Sequence, residues 1–253
     1  TIDDITTTDP VILATPLWQH HEQAKKLLEK GHDVYVEKPM AETALAVEEL
    51  IEVRGDCVLM AGHIFLYNPL LIMLKNIIDR GDLGNIKHVK TERLNWGIRQ
   101  TKTTPALSLA PHDISILQYL LGEDMSVNSV QNLNLSNNVQ PDSLQFEGMI
   151  GTVSYDVHVS WYWPTRKREV TVIGDRAMAV WDEDAKTVRV MHGRVEDNGY
   201  ITAEPKETVY EYPVEASPLY LQLEHFIHCV RTRSKPRSCA ENALAVARVV
   251  DQL

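Results

Sequence analysis

The stretch Val34-Tyr35-Val36-Glu37-Lys38-Pro39-Met40 restricts the fold of this chain more than any other. Three β-formers make a short buried strand, which runs into an acid, a base and a proline that has no N–H to give to a sheet. A charged pair is therefore expected at a strand's carboxyl end, where open α/β sheets bind ligands. Upstream, Pro10-Val11-Ile12-Leu13-Ala14 is a second apolar run, stopping at Thr15-Pro16 and reading as a central parallel strand buried on both faces. Between them, residues 18 to 30 place Ala24, Leu27 and Leu28 on one helical face, and Gly31 closes that helix as a C-cap. Strand, helix and strand in such close succession form a βαβ unit. A helix over 43–53 and a short strand over 57–61 extend it.

No G-x-G-x-x-G occurs anywhere in the chain. Gly81-Asp82-Leu83-Gly84 follows a helix, so it reads as a turn rather than a phosphate cradle. Residues 1–64 thus read as the C-terminal half of a dinucleotide-binding domain. The first βαβ unit is expected to lie outside this sequence, which begins with Thr1, leaving the strand at Val11 to Ala14 as an open edge.

Residues 65–253 read as an α+β domain. Helices are expected at 69–80 and 111–121, with a strand at 86–96 leading into Asn95-Trp96-Gly97. Beyond Met125, short alternating segments at 126–134, 143–149, 151–161, 168–174, 177–182, 187–192 and 207–212 suggest an antiparallel sheet. Gly174-Asp175 and Asp197-Asn198-Gly199 supply turns. Helices at 217–232 and 240–252 end the chain, the last one expected to pack back on the first domain. The fold class is a partial Rossmann-type parallel sheet followed by an open, mostly antiparallel sheet.

A net charge of −10 and the lack of a basic stripe argue against nucleic-acid binding. No apolar run approaches membrane-spanning length. Cys57, Cys229 and Cys239 form no C-x-x-C and leave an odd count, which favours a reducing, cytoplasmic setting over a disulfide framework.

Lys38 is the first candidate for chemistry, since an ammonium at a strand end could hydrogen-bond a substrate hydroxyl, with Glu37 orienting it. His112, with Asp113 behind it, could take the proton that leaves as an alcohol becomes a ketone, or could simply start a helix. Thr15 reads equally as a ribose or phosphate contact and as a helix cap. Trp161-Tyr162-Trp163-Pro164 is a stacking platform or a strand-end core cluster. His20-His21 and His225-x-x-His228-Cys229 resemble metal spacing but match no established ligand set, and no metal is expected.

Ala14-Thr15-Pro16, His20, Gly31 and Val34 to Met40 resemble, in order and spacing, the glucose-fructose oxidoreductase and inositol dehydrogenase (Gfo/Idh/MocA) family. The likeness continues through Gly62-His63, Tyr67-Asn68-Pro69, Gly81 to Gly84, Leu109 to Ile114 and Leu120-Leu121-Gly122. The resemblance implies an NAD(P)-dependent oxidoreductase acting on a hydroxyl of a sugar, cyclitol or nucleotide-sugar, with helices on one face of the second sheet. It assigns Lys38 and His112 to catalysis. NAD or NADP would meet Thr15, Pro16, His20, Glu37, Lys38 and Pro39, the last often cis. Tyr67, Asn95, Trp96, Asp113 and Trp161 would contact substrate. It also implies a homodimer or homotetramer through the antiparallel sheet, whose outer face is expected to be apolar. Many active members carry an aspartate four residues before the histidine, where this chain has Ser108. That departure supports a rival reading as an inert binding or assembly member.

Overall fold

The computed structural model describes residues 2, 5, 9–97, 103–122, 124–136, 140–195, 201–212 and 217–253, with side chains at 194–195 and 201–206 left aside. The turn expected at Asp197-Asn198-Gly199 lies outside these residues. The chain divides into two compact units, Thr1–Tyr67 with Ala216–Gln252, and Asn68–Glu215 with Leu253.

The first unit is built on three parallel strands, β1 (Val11–Leu13), β2 (Val34–Val36) and β3 (Leu59–Ala61), in spatial order 1-2-3. Helix α1 (Leu17–Glu29) makes the crossover, burying Ala24, Leu27 and Leu28. Lys30 caps it and Gly31 follows at φ 84°, where a Cβ would be strained. Helix α2 (Ala44–Val53) starts at Thr43, whose hydroxyl accepts from Ala46 N. The three residues of β2 are all buried, as a central strand requires. β1 is the open edge expected of a sheet without the first βαβ unit, not a strand buried on both faces: among the described residues β2 is its one strand partner, and Ile12 is 50% exposed. An apolar run states that a strand forms; its neighbours decide how much of it is covered.

Helices α6 (Pro218–Thr232) and α7 (Ala240–Val250) both belong to this unit, where only the last was expected to return. Ala240 and Ala243 of α7 join the core made by Leu27, Val34, Val36, Leu50 and Leu59. Asp251 at its end accepts from Ala44 N, tying the terminus to the start of α2.

The second unit begins with α3 (Pro69–Asp79), whose N-cap Asn68 accepts from Leu70 N. Strand β4 (Ile86–Trp96) follows, then the short α4 (Pro105–Ser108), which the polar sequence did not announce, and α5 (Ala110–Leu121). The remaining strands are β5 (Met125–Leu133), β6 (Ser143–Ile150), β7 (Val153–Ser160), β8 (Tyr162–Gly174), β9 (Ala177–Asp182), β10 (Thr187–Val195) and β11 (Ile201–Glu211). They form one eight-stranded sheet ordered β11-β10-β9-β8-β4-β7-β6-β5. It is antiparallel except for β4 with β7, because β4 enters the centre of the sheet from outside the meander.

One face of this sheet packs on α3 and α5 through Val89, Val157, Val170 and Val172. The opposite face was expected to be apolar. Around its centre it is charged instead: His88 bonds Asp156, Lys90 lies 3.4 Å from Asp156, and Lys167 pairs with Glu92 and Glu169. Alternation along β4 puts His88, Lys90 and Glu92 on one side and Val89, Thr91 and Arg93 on the other.

Candidate active site

In the first unit the carboxyl ends of β2 and β3 carry the unusual chemistry. Glu37 N donates to Leu13 O and Gly62 N to Val36 O, both at 2.8 Å, so the three strand ends stay knitted just past the sheet. A Cβ on Gly62 would sit 2.9 Å from both Glu37 Oε2 and the Tyr35 hydroxyl. Only glycine lets the β3 end come this close. The Glu37 carboxylate accepts from Tyr35 Oη and from Lys38 N, both at 3.2 Å, so it orients the backbone of Lys38. Tyr35 Oη also lies 3.0 Å from Gln222 Oε1. Burial first, then the Glu37 charge, pushes the Tyr35 phenol far above its ordinary range, so it stays a proton donor.

The Lys38-Pro39 bond is cis. His20 is 2% exposed, and its Nδ1 and Nε2 lie 2.8 Å from Pro39 O and 2.7 Å from Thr15 O. It therefore straps the turn after β2 to the turn after β1. Thr15 Oγ1 donates to Gln23 Oε1 at 2.8 Å, a brace to the second turn of α1. It is not the helix cap; Pro16 holds that position without a side-chain bond.

His63 directly follows Gly62. It is 2% exposed, and neither ring nitrogen has a hydrogen-bond partner among the described residues. Burial first, and then the Lys38 charge, lowers its pKa to about 4. The sequence displayed His63 only as half of a Gly-His pair; what could have singled it out is an imidazole placed immediately after a strand that ends beside a lysine.

Tyr67 is 3% exposed; its hydroxyl lies 3.2 Å from Ser238 Oγ and Arg237 stacks over its ring at 5.1 Å. Burial is the main cause that lifts its pKa to about 12. Cys57, Cys229 and Cys239 are free thiols, and no group of three or more metal-ligating side chains occurs among the described residues. None of the described helices is long and apolar enough to cross a membrane.

In the second unit, His112 is half-buried in the first turn of α5, its N–H donating to Leu109 O at 3.1 Å. Asp113 is 1% exposed and accepts from Arg93 Nε at 2.7 Å, so its carboxylate is engaged with β4. Arg93 was absent from the sequence reading, although a charge at an inward position of an alternating strand is a visible signal. Asn95 Oδ1 is buried with no partner among the described residues. Trp96, 71% exposed, tilts against Tyr162 with ring centroids 5.2 Å apart. Trp161 is 5% exposed and belongs to the core, which separates the two readings of the Trp-Tyr-Trp run residue by residue. Thus Lys38, Glu37, Pro39, His20 and Thr15 gather within one unit, and His112, Asp113, Asn95, Trp96 and Trp161 belong to the other.

The groups at the β2 and β3 ends fit a nicotinamide nucleotide: a lysine beside a carboxylate of fixed orientation, backed by a buried imidazole.

Residues 2–63 match a family profile described as oxidoreductase family, NAD-binding Rossmann fold, and residues 75–253 match that family's C-terminal alpha/beta domain. An inositol 2-dehydrogenase from Rhodococcus erythropolis is 30% identical over 144 residues, 54% of this chain and 41% of the relative. A 2,7-anhydro-N-acetylneuraminate hydratase from Escherichia coli is 30% identical over 129 residues, 46% of this chain and 34% of the relative. The chain thus aligns with less than half the length of each. A solved levoglucosan dehydrogenase in complex with NADH and levoglucosan superposes with a TM-score of 0.82 at 16% identity, covering 99% of this chain and 78% of its own. A 3-ketoreductase from Actinomadura kijaniata with TDP-benzene and NADP gives 0.83 at 17% identity, covering 99% and 78%. These likenesses bear on fold. With both of its domain profiles matched in order, the chain belongs to the Gfo/Idh/MocA oxidoreductase family.

Proposed function

We propose that this protein is an NAD(P)-dependent oxidoreductase that interconverts a hydroxyl and a ketone on a sugar, cyclitol or nucleotide-sugar. The observation that carries the reading is Lys38 beside the fully buried His63 imidazole at the carboxyl ends of adjacent parallel strands. The nicotinamide, when bound, takes or gives the hydride. Thr15, Pro16, Glu37, Lys38 and Pro39 would hold it, with His20 bracing the two turns from behind. Lys38 hydrogen-bonds the substrate oxygen and stabilises the negative charge that grows there, and His112 takes or returns the hydroxyl proton. Asp113 acts on His112 through the helix, anchoring its first turn to Arg93. Asn95 offers a polar contact and Trp96 an aromatic face for a ring substrate. Tyr67 and Trp161 are both buried, each within its own unit, and would act on the substrate through packing rather than through an exposed contact.

Calorimetric titration with NADH and NADPH, followed by absorbance of the reduced nicotinamide with inositol, levoglucosan and UDP-sugars, tests the reading. Cofactor-dependent turnover that Lys38→Met abolishes in a folded protein supports it. Binding without turnover on any substrate favours the inert reading that Ser108 suggests. Because one relative is named a hydratase, sugar products are also followed with no net change in cofactor.

The charged outer sheet face is the proposed contact between copies. Interleaved Lys90, Asp156, Glu92 and Lys167 would pair across a two-fold axis by complementarity rather than by apolar burial. Sedimentation should then show an oligomer that weakens as salt rises.

A further inference from the structure

We propose that His63 is a positioning residue for Lys38: an imidazole whose lone-pair nitrogen accepts from the ammonium through one ordered water and keeps Lys38 a hydrogen-bond donor at working pH. This rests on the reading that Lys38 handles the substrate oxygen.

The geometry comes first. His63 is 2% exposed and held by its backbone, with its N–H donating to Ala61 O at 2.9 Å and Ile64 N bonded to Gly62 O at 2.9 Å. Both ring nitrogens lack a hydrogen-bond partner among the described residues, although a buried polar group left unmade is costly. Among the described residues, the one side-chain charge that acts on the ring is Lys38. The other polar groups of the strand ends are already occupied: Glu37 by Tyr35 and Lys38 N, Tyr67 by Ser238, and Arg237 by Leu66 O.

The electrostatics then fix the role. Burial and the Lys38 charge together keep the ring neutral through the physiological range. A neutral imidazole has one donor and one acceptor nitrogen, and beside an ammonium the acceptor turns toward it. That arrangement favours the charged form of Lys38, so its chemical part is hydrogen-bond donation rather than proton abstraction. Proton transfer is left to another group, which matches the role given to His112.

Two measurements on the intact chain test this without turnover. Labelling of Lys38 by an amine-selective reagent, followed by mass spectrometry across pH, reads its proton affinity. His63→Phe keeps the packing and removes the acceptor; the pH of half-labelling should fall by about one unit. His63→Gln packs less well but restores an acceptor, and it should recover most of that shift. A packing role predicts the opposite order. If either variant fails to fold, nitrogen-15 spectra of the wild-type imidazole carry the test: His63 should show one fixed tautomer, and Lys38→Met should abolish that preference and raise the pH at which the ring titrates. An unchanged tautomer and titration in Lys38→Met, or unchanged labelling in His63→Phe, overturns the proposal. Loss of turnover in Lys38→Met with these signals present would leave the proposal intact, whereas retained turnover would remove Lys38 from the reaction alone.

Discussion

Arg93 Nε donates to Asp113 Oδ2 across 2.7 Å, with only 9% and 1% of the two side chains exposed. A second carboxylate, Glu183, lies 3.6 Å from Arg93 Nη1 and pairs with Arg168 as well. Removing Asp113 would leave Arg93 buried with its main partner gone and Glu183, 3.6 Å away and shared with Arg168, to offset the charge, which costs more than the pair contributes. Asp113→Ala should therefore lower stability by about 3 kcal/mol, read from urea unfolding. Asp113→Asn should cost less, since the amide oxygen can still accept. A loss in Asp113→Ala within the range of surface substitutions would mean that the pair is not holding α5 to β4.

His20 should prove to be the clamp on the Lys38-Pro39 turn. Both of its ring nitrogens lie against carbonyl oxygens that no other side chain serves among the described residues, and the one N–H of a neutral ring donates to Pro39 O or Thr15 O, so His20→Ala leaves a carbonyl unpaired in a site that is 2% exposed. A loss of about 1–3 kcal/mol is expected. Hydrogen exchange should also speed up at Lys38 and Met40 while the protected amides of β2 stay slow. Uniform acceleration over the whole unit would point to general destabilisation and remove the clamp.

Much of this was legible in the sequence because it depends on local pattern. The βαβ unit follows from two apolar runs, a helical face and Gly31, and the long meander from alternation, although β8 and β11 start at Tyr162 and Ile201, well before the expected 168 and 207. Environments were not legible. The exposure of Ile12 depends on which strands flank β1. Alternation in β4 said that the two faces differ without saying that His88, Lys90 and Glu92 would meet Asp156 and Lys167 on the open one. Gln222 reaches Tyr35 from 187 residues away, a separation no sequence window spans. His63 is silent in sequence for the same reason: burial and an unpaired ring are properties of a place.

Gly62 is the residue whose replacement should most directly disturb that place. A methyl group there meets Glu37 Oε2 and Tyr35 Oη at 2.9 Å and Glu37 Cα at 3.0 Å. The side-chain oxygens can give way, but the Cα belongs to a strand end bonded to Leu13 O. Gly62→Ala should cost about 1–3 kcal/mol, and the Glu37 carboxylate should lose its bond to Lys38 N. A crystal structure of the variant would show this directly; an unmoved Glu37 would mean that the close approach is not needed.

The pH dependence of stability carries the sign of a base buried neutral. His63 binds its proton near 6.5 when unfolded and at about 4 when folded, so between those values the unfolded chain holds more protons. Stability is then complete above about pH 6.5 and falls as pH drops toward 4, by about 3 kcal/mol over the whole window on this group's account. His158 and His225, both lowered mainly by burial, add to the slope with the same sign. Glu241 belongs to a lower window: burial raises its pKa, but hydrogen bonds from Arg54 and Cys239 outweigh that and hold it at about 2, so its contribution is lost only below its ordinary value of 4.5. Urea midpoints measured from pH 7 down to pH 5 should thus decline in the wild type and decline visibly less in His63→Phe. Equal slopes in the two proteins would show that the imidazole is already paired or solvated, and would take with them the electrostatic argument for its action on Lys38.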